Sequence, residues 1–267
     1  MTHQGATLPL LRGNTTLESA LEQEEDVLLE LDYPEQRIDF FVFLYSNRGD
    51  IERIAAYHLS LGPSDTCRTG DVNEWVHGSF NVCIPLYVNK QGQDLEKQAL
   101  IRFPLPYRIG EFRNPGNVDE KLRCEAATFI WIHTHCPEIP IPQLWGFGLV
   151  GGQKVQMLSE TWDEDRHKQA KRTNLFRGLS RMMLSLSQIP LPLIGSWTLD
   201  TNGALRLSNR PLTLRLHQLE NGGIPTNISR SLTYSTADAY YLDLLFCHDS
   251  RIRHQPNSIS DAEDGRA

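Results

Sequence analysis

Long apolar runs are missing from this chain. The most apolar stretch, Phe40 to Tyr45, is the size of a strand or a helix core and is bracketed by charged residues, which excludes a membrane-spanning helix. Met1 to Gly13 lack the basic-then-apolar order of a secretory signal. Cysteine is scarce: Cys67, Cys83, Cys124, Cys136 and Cys247 are scattered, odd in number and form no CxxC pair, which argues for reduced thiols inside a cell. No dense basic stripe offsets a net charge of −7, so nucleic acid is disfavoured as a partner. There is no G-x-S-x-G elbow to carry hydrolase chemistry. A cytoplasmic protein with neither a membrane nor a nucleic-acid partner is expected.

What is present suits a folded domain. Its 267 residues allow one large domain or two modest lobes, and 40% apolar with 22% charged residues is ordinary for a globular core. We expect a polar segment over 1–33, its first fifteen or so residues disordered and a leading helix after them. Phe40, Phe41, Leu44, Ile51, Ile54 and Ala55 are spaced for helical packing, with Asn47 to Asp50 splitting the run in two. From Glu74 to Val88 the period changes to strand, tight turn at Gly78-Ser79, strand, and Ala99 to Phe103 adds a third strand. A helix follows, N-capped by Asn117 and ending near Cys136, with Leu122, Ala126, Phe129, Ile130 and His133 on its apolar face. Leu144–Val150 and Val155–Ser159 read as a strand pair about Gly151-Gly152. Leu175, Phe176, Leu179, Met182, Met183 and Leu186 mark an amphipathic helix, Ser196 to Leu207 a hairpin, and Tyr234 to Cys247 a helix with Tyr240, Tyr241, Leu244 and Leu245 inward.

Two features of this order bear on chemistry. The Gly78-Ser79-Phe80-Asn81 turn joins two strands where small residues let backbone N–H groups approach phosphate oxygens, and an ordinary hairpin fits it as well. Arg102 is a lone cation in the apolar strand Leu100 to Pro104, and Glu125 sits at the edge of the next helix's apolar face. The two could form a charge-assisted pair, either for a nucleotide or as a purely structural link. His133, His135 and Cys136 cluster at a helix end with no distant pair to complete a metal site, so no metal is expected there. Gly146 to Gly152 departs from the dinucleotide G-x-G-x-x-G pattern.

Taken in order, these segments resemble fungal proteins of the aminoglycoside-phosphotransferase-like, protein-kinase-like family over roughly residues 70–260. The resemblance is carried by Trp75 to Pro106, Asp119 to Ala126, Ile139 to Gly148, and Leu207-Ser208-Asn209-Arg210-Pro211-Leu212-Thr213. It implies an α+β fold: a kinase-like small lobe of antiparallel sheet plus one helix, with leading helices, over 34–160. A partial, mainly helical large lobe over 161–253 and a polar tail over 254–267 complete the expected division. It further implies a phosphate-covering loop at Gly78, Ser79, Phe80 and Asn81. Arg102 stands in place of the usual lysine with Glu125 as its helix partner, and an adenine-facing hinge runs from Met157 to Glu160.

The family's H-x-D-x-x-x-x-N loop is not present. No aspartate of the 267 residues has an asparagine five positions on, and His248-Asp249 is only a partial imitation. That loop orients the acceptor hydroxyl and holds magnesium. The resemblance therefore implies a pseudoenzyme or a fragment in which ATP binding is weak or vestigial, magnesium is not well bound and no catalytic residue is assigned. A noncatalytic interaction module built on the small lobe is the alternative, with partner binding or self-association through the exposed face of the large-lobe helix. An active small-molecule kinase using Asp243 or Asp249 as an unorthodox base stands third.

Overall fold

The computed structural model of the protein describes residues 6–23, 26–92, 97–146, 149–150, 168–255 and 258. The architecture is mixed α+β with small antiparallel sheets. A short hairpin of β1 (Leu8–Pro9) and β2 (Asn14–Thr15) opens it, where disorder was the expectation. Two single-turn helices follow, α1 (Leu17–Leu21) and α2 (Val27–Leu31), capped by the side chains of Thr16 and Asp26. The predicted helical run is α3 (Tyr33–Ser46) and α4 (Arg48–His58), broken at Asn47 as the sequence suggests. Asn47 donates its side-chain amide back to Phe43 O at 2.8 Å, a second bond to a carbonyl that its own backbone N–H also reaches at 3.1 Å.

The main sheet contains β3 (Thr66–Thr69), β4 (Val76–His77), β5 (Asn81–Asn89), β6 (Lys97–Pro104), β7 (Leu144–Gly146) and β8 (Leu149–Val150). Its order is β3-β5-β6-β8-β7, with β4 also paired to β5. Alternation along β5 buries Val82, Ile84, Leu86 and Val88 on one face. The first three pack with Leu44 of α3 and with Ile51 and Ala55 of α4. Full burial of each such aliphatic side chain contributes about 1.5–3 kcal/mol. Pro85 is tolerated mid-strand because it falls in a gap: the register of β3 ends at Leu86 and that of β4 begins at Cys83.

Helix α5 (Asn117–His135) lies between this sheet and a second hairpin, β9 (Ser196–Leu199) and β10 (Leu205–Asn209). Gly116, in the left-handed region at φ 95°, takes the cap position expected of Asn117. The Glu111 carboxylate accepts Gly116 N at 2.8 Å and Val118 N at 2.6 Å, which frees the buried Asn117 side chain for bonds elsewhere. The buried stripe also differs from the expected one. Cys124, Ala127 and Trp131 are inside, whereas Ile130 and His133 are exposed. The cause is the hairpin: Trp197 stacks on Trp131 with centroids 5.7 Å apart, and Leu199 packs on Ala126 and Ala127.

Strands β7 and β8 pair with each other, so their connection falls before Gly151-Gly152; Val155 to Ser159 lie outside the described residues. Beyond them come α6 (Gln169–Ser187), α7 (Leu214–Asn221) and α8 (Ala237–His254). In α8 the inward line runs through Tyr240, Leu244, Cys247 and Ser250, while Tyr241 and Leu245 face out. Rotation of α8 is set by a 2.7 Å bond from Tyr234 Oη to Asp243 and by Cys247 packing among Leu216, Leu219, Ile224 and Ile228.

Candidate functional site

The site begins with the pleat of β6. Ile101 faces the buried core with Ile84, so Arg102 emerges on the opposite face beside its register partner Cys83. There it meets Glu125 of α5: Arg102 Nη2 donates to Glu125 Oε2, and Lys121, one turn earlier on the helix, donates from Nζ to Oε1. Both oxygens of the carboxylate are therefore engaged, by two cations. Burial holds the Lys121 ammonium below the usual lysine range, and Glu125 opposes that shift. Burial also pushes the Cys83 thiol up, with Arg102 opposing, so it stays protonated and unreactive at neutral pH. A cleft of about 430 Å³ opens beside the group, walled by Arg102, Lys121, Glu125, Phe129, Trp197 and His217.

The turn at Gly78–Asn81 lies elsewhere. It closes β4 onto β5 through Gly78 N to Asn81 O at 2.9 Å, and Arg108 Nε donates to Ser79 O at 3.0 Å. Phe80 O accepts Leu105 N at 2.9 Å. Gly78 and Ser79 line a second cavity of about 180 Å³ with Arg12, Glu30, Tyr33, His77 and Arg108. Arg102 and Glu125 are thus brought together as a pair, and the turn borders a different hollow. Glu160, with the expected hinge from Met157, lies outside the described residues.

Other residues singled out by sequence have structural partners. His135 Nδ1 lies 3.0 Å from Trp131 O and its ring stacks on Trp131, while His133 Nε2 lies 3.3 Å from Pro142 O. Asp243 accepts the Tyr234 hydroxyl, and Asp249 stands exposed on α8.

A buried polar cluster escaped the sequence reading. Arg210, 3% exposed at its side chain, uses all five N–H donors on Glu120, Glu220 and Ile228 O. Glu120 also accepts Asn209 Nδ2 at 3.0 Å and Arg230 Nε at 3.1 Å. Asn117 donates to Ile109 O and to Glu220, and its own oxygen accepts Arg230 Nη2 at 2.8 Å. Burial works against the charges, yet the Arg210 contacts outweigh it and hold the Glu120 carboxyl below its usual range. One sequence signal existed: Glu120 sits on the same helix line as Cys124, Ala127 and Trp131, an acid at the head of an apolar stripe. The saturated hydrogen bonding makes this cluster a tie between α5, the β9–β10 hairpin and α7 rather than a reactive centre.

Among the described residues, no three or more His, Cys, Asp or Glu side chains gather where a metal ion could be held. The donor set beside Arg102 does not fit a divalent cation, because its single carboxylate is already neutralised by Arg102 and Lys121. No described helix is long and apolar enough to cross a membrane. Compared with protein-family models, curated proteins and solved structures, the chain has no match in any of the three.

Proposed function

We propose that the chain is a phosphotransferase-like protein of the aminoglycoside-phosphotransferase family, with a kinase-like small lobe and an incomplete, mainly helical large lobe, that binds ATP weakly and does not transfer its phosphate. The observation supporting this reading is the ion pair between Arg102 of β6 and Glu125 of α5 at the wall of an open cleft. Its setting of hairpin, third strand, helix and strand pair follows the order in which a kinase-type small lobe presents its phosphate-holding cation. Against turnover stands the absence, in these 267 residues, of any aspartate followed five positions on by asparagine. Loss of a positioned base costs about 10²- to 10⁴-fold in rate, and loss of the metal ligands removes the main charge stabilisation as well. A reducing, cytoplasmic setting suits the five free cysteines.

Thermal-shift titration with ATP, with and without magnesium, tests this directly. A modest rise that magnesium does not enlarge is expected, together with no release or transfer of γ-phosphate. Transfer of labelled γ-phosphate that Arg102→Ala abolishes would overturn the inactive reading, and the absence of any ATP response would remove the nucleotide.

A second reading, a noncatalytic interaction module, is favoured by the apolar faces that α6 and α8 turn outward, including Met183 at 70% exposure. Pull-down of a partner that is lost on charging those faces, with no nucleotide response, would select it over the first.

A further inference from the structure

We infer that the groove between α3 and the β3–β4 connection binds a small amphipathic carboxylic acid, its hydrocarbon along the groove and its carboxylate on Arg37. The groove shares no residue with the cleft beside Arg102, and the inference does not depend on nucleotide binding there. Its origin is the register of α3. Leu44 turns into the core, while Ile38, Phe41, Val42 and Tyr45 share a neighbouring line at helical spacing, with Arg37 at its head. Arg37 to Tyr45 rise by about 12 Å along the helix, a span that an octanoate chain can follow. Val72 and Trp75 face this line from the β3–β4 connection, and the hollow between them is about 560 Å³. Apolar and aromatic walls with a few polar groups, at that volume, are what a small-molecule pocket requires.

The floor of the groove is built in advance. The Phe41 ring lies 5.4 Å from Trp75 and 6.0 Å from His77, and the Trp75 indole donates to Gly70 O at 3.0 Å. A ligand therefore pays little to order it. The rims are apolar and wet: Ile38 and Val42 are each 59% exposed, and a hydrocarbon chain lying there removes that surface from water. Arg37 is partly buried, and its polar contact among the described residues is His77 Nε2, 3.4 Å from Nη1. Glu35 and Asp39 stand two positions away on α3, a spacing at which side chains do not meet, and neither forms an ion pair with it. A guanidinium has five N–H donors, so most of this one remain open, and its planar fork matches a carboxylate. Burial first, then the charges of Arg37 and Arg12, hold the His77 pKa low. A neutral imidazole can accept from Arg37 at pH 7 and leaves its charge for the ligand.

The test titrates octanoate calorimetrically into the full chain at pH 7, beside octan-1-ol and butyrate. Saturable octanoate binding is expected. Octan-1-ol should bind about tenfold more weakly, for want of the charge-assisted hydrogen bond. Butyrate, with less chain to bury, should bind on the order of a hundredfold more weakly. Arg37→Gln should weaken octanoate about tenfold and leave octan-1-ol unchanged. Val42→Glu, at an exposed position, should abolish octanoate binding by setting an acid in the groove. Phe112→Ser, which removes a 96% exposed aromatic elsewhere, should change nothing. If Arg37→Gln does not fold, the alcohol comparison and Val42→Glu decide. Absence of saturable octanoate binding, equal binding of octan-1-ol, or equal weakening by Phe112→Ser overturns the proposal. Self-association that Val42→Glu abolishes, without octanoate binding, gives the groove to a second copy of the chain and overturns it as well.

Discussion

Arg210 and Glu120 form a two-point clasp: Nε reaches Oε1 at 2.9 Å and Nη2 reaches Oε2 at 2.8 Å, across 90 residues of sequence. Because Glu220 takes the remaining side of the guanidinium, one arginine holds two carboxylates from two helices. Removing it leaves both acids buried with the neutral donors Asn209 on Glu120 and Asn117 on Glu220, and among the described residues the half-exposed Arg230 is the one cation still bonded to the cluster, on Glu120. Arg210→Ala should therefore lower unfolding stability by about 3–5 kcal/mol in urea titration. Arg210→Lys should recover only part of that loss, since one ammonium cannot span both carboxylates. A loss below 1 kcal/mol for the alanine variant would show that the cluster does not hold the fold.

The pair beside the cleft should behave differently. Arg102 and Glu125 are 29% and 30% exposed, and Lys121 remains on the carboxylate when Arg102 is removed. Arg102→Ala should cost no more than about 1 kcal/mol, as partly solvated ion pairs do. The same urea titration checks it. This contrast also separates a binding role from a structural one: a loss of ligand response without a loss of stability places Arg102 at the site.

These two ion pairs differ in how readable they were. A single cation in an apolar strand and an acid at the edge of a helix face announce each other locally, so Arg102 and Glu125 could be paired from sequence alone. Two-residue alternation in β5 and the break at Asn47 are local signals as well. The rotation of α5 was not legible, because its buried stripe is chosen by Trp197, a residue far along the chain that belongs to the hairpin packed on it. Nor was the Arg210 cluster, since Arg230 meets Glu120 across 110 residues and no period connects them. In the sequence, Asn209-Arg210 stood out only through a family resemblance, with no role attached.

Gly110, in the loop ahead of α5, lies close to the end of α7. Its φ is +71°, and a side chain there would place Cβ 2.8 Å from the backbone nitrogen of Asn221. Backbone cannot yield as a flexible side chain can. Gly110→Ala should destabilise by roughly 1–3 kcal/mol through strain and displacement of α7. Thermal denaturation measures this, and Gly203→Ala, also at positive φ but in open space, gives the strain alone for comparison.

His217 sets a pH dependence. It is 2% exposed, its Nε2 has no hydrogen-bond partner among the described residues, and burial lowers its pKa below the usual 6.5 despite the opposing charges of Glu220 and Glu120. Below pH 6.5 the unfolded chain takes up a proton that the folded chain refuses, so stability is lost as pH falls from there toward the folded value. Each such proton contributes a slope of at most about 1.4 kcal/mol per pH unit. His77 is shifted in the same direction and adds to the slope; Glu120, held low by Arg210, acts only in the more acidic carboxylate range. His217→Gln should flatten the stability profile between pH 6.5 and 5 without abolishing it, as urea midpoints across pH would show. An unchanged slope would mean that the histidine is not buried as neutral imidazole.

Helix α6 turns an apolar side outward. Phe176, Leu179, Met183 and Leu186 recur at intervals of three and four and are 53%, 47%, 70% and 38% exposed, while Met182 turns in to meet Trp131 and Ile139. Such a repeat is the seam along which two helices pair. Every charge on this helix is basic, at Lys171, Arg172, Arg177 and Arg181, so a second copy of α6 alone would bring like charges together. An acidic amphipathic surface suits the stripe better, and the N-terminal half of α8 of another copy, with Asp238 beside exposed Tyr241, Leu242 and Leu245 and ahead of the basic last turn at Arg251, Arg253 and His254, has that character. Sedimentation velocity should then show association that rises with protein concentration and weakens with salt. Leu179→Lys with Met183→Lys, at exposed positions where substitution costs only a few tenths of a kcal/mol, should return the protein to monomer with its circular dichroism unchanged. Wild-type protein that stays monomeric at high concentration and fails to bind a hydrophobic dye would remove this surface from consideration.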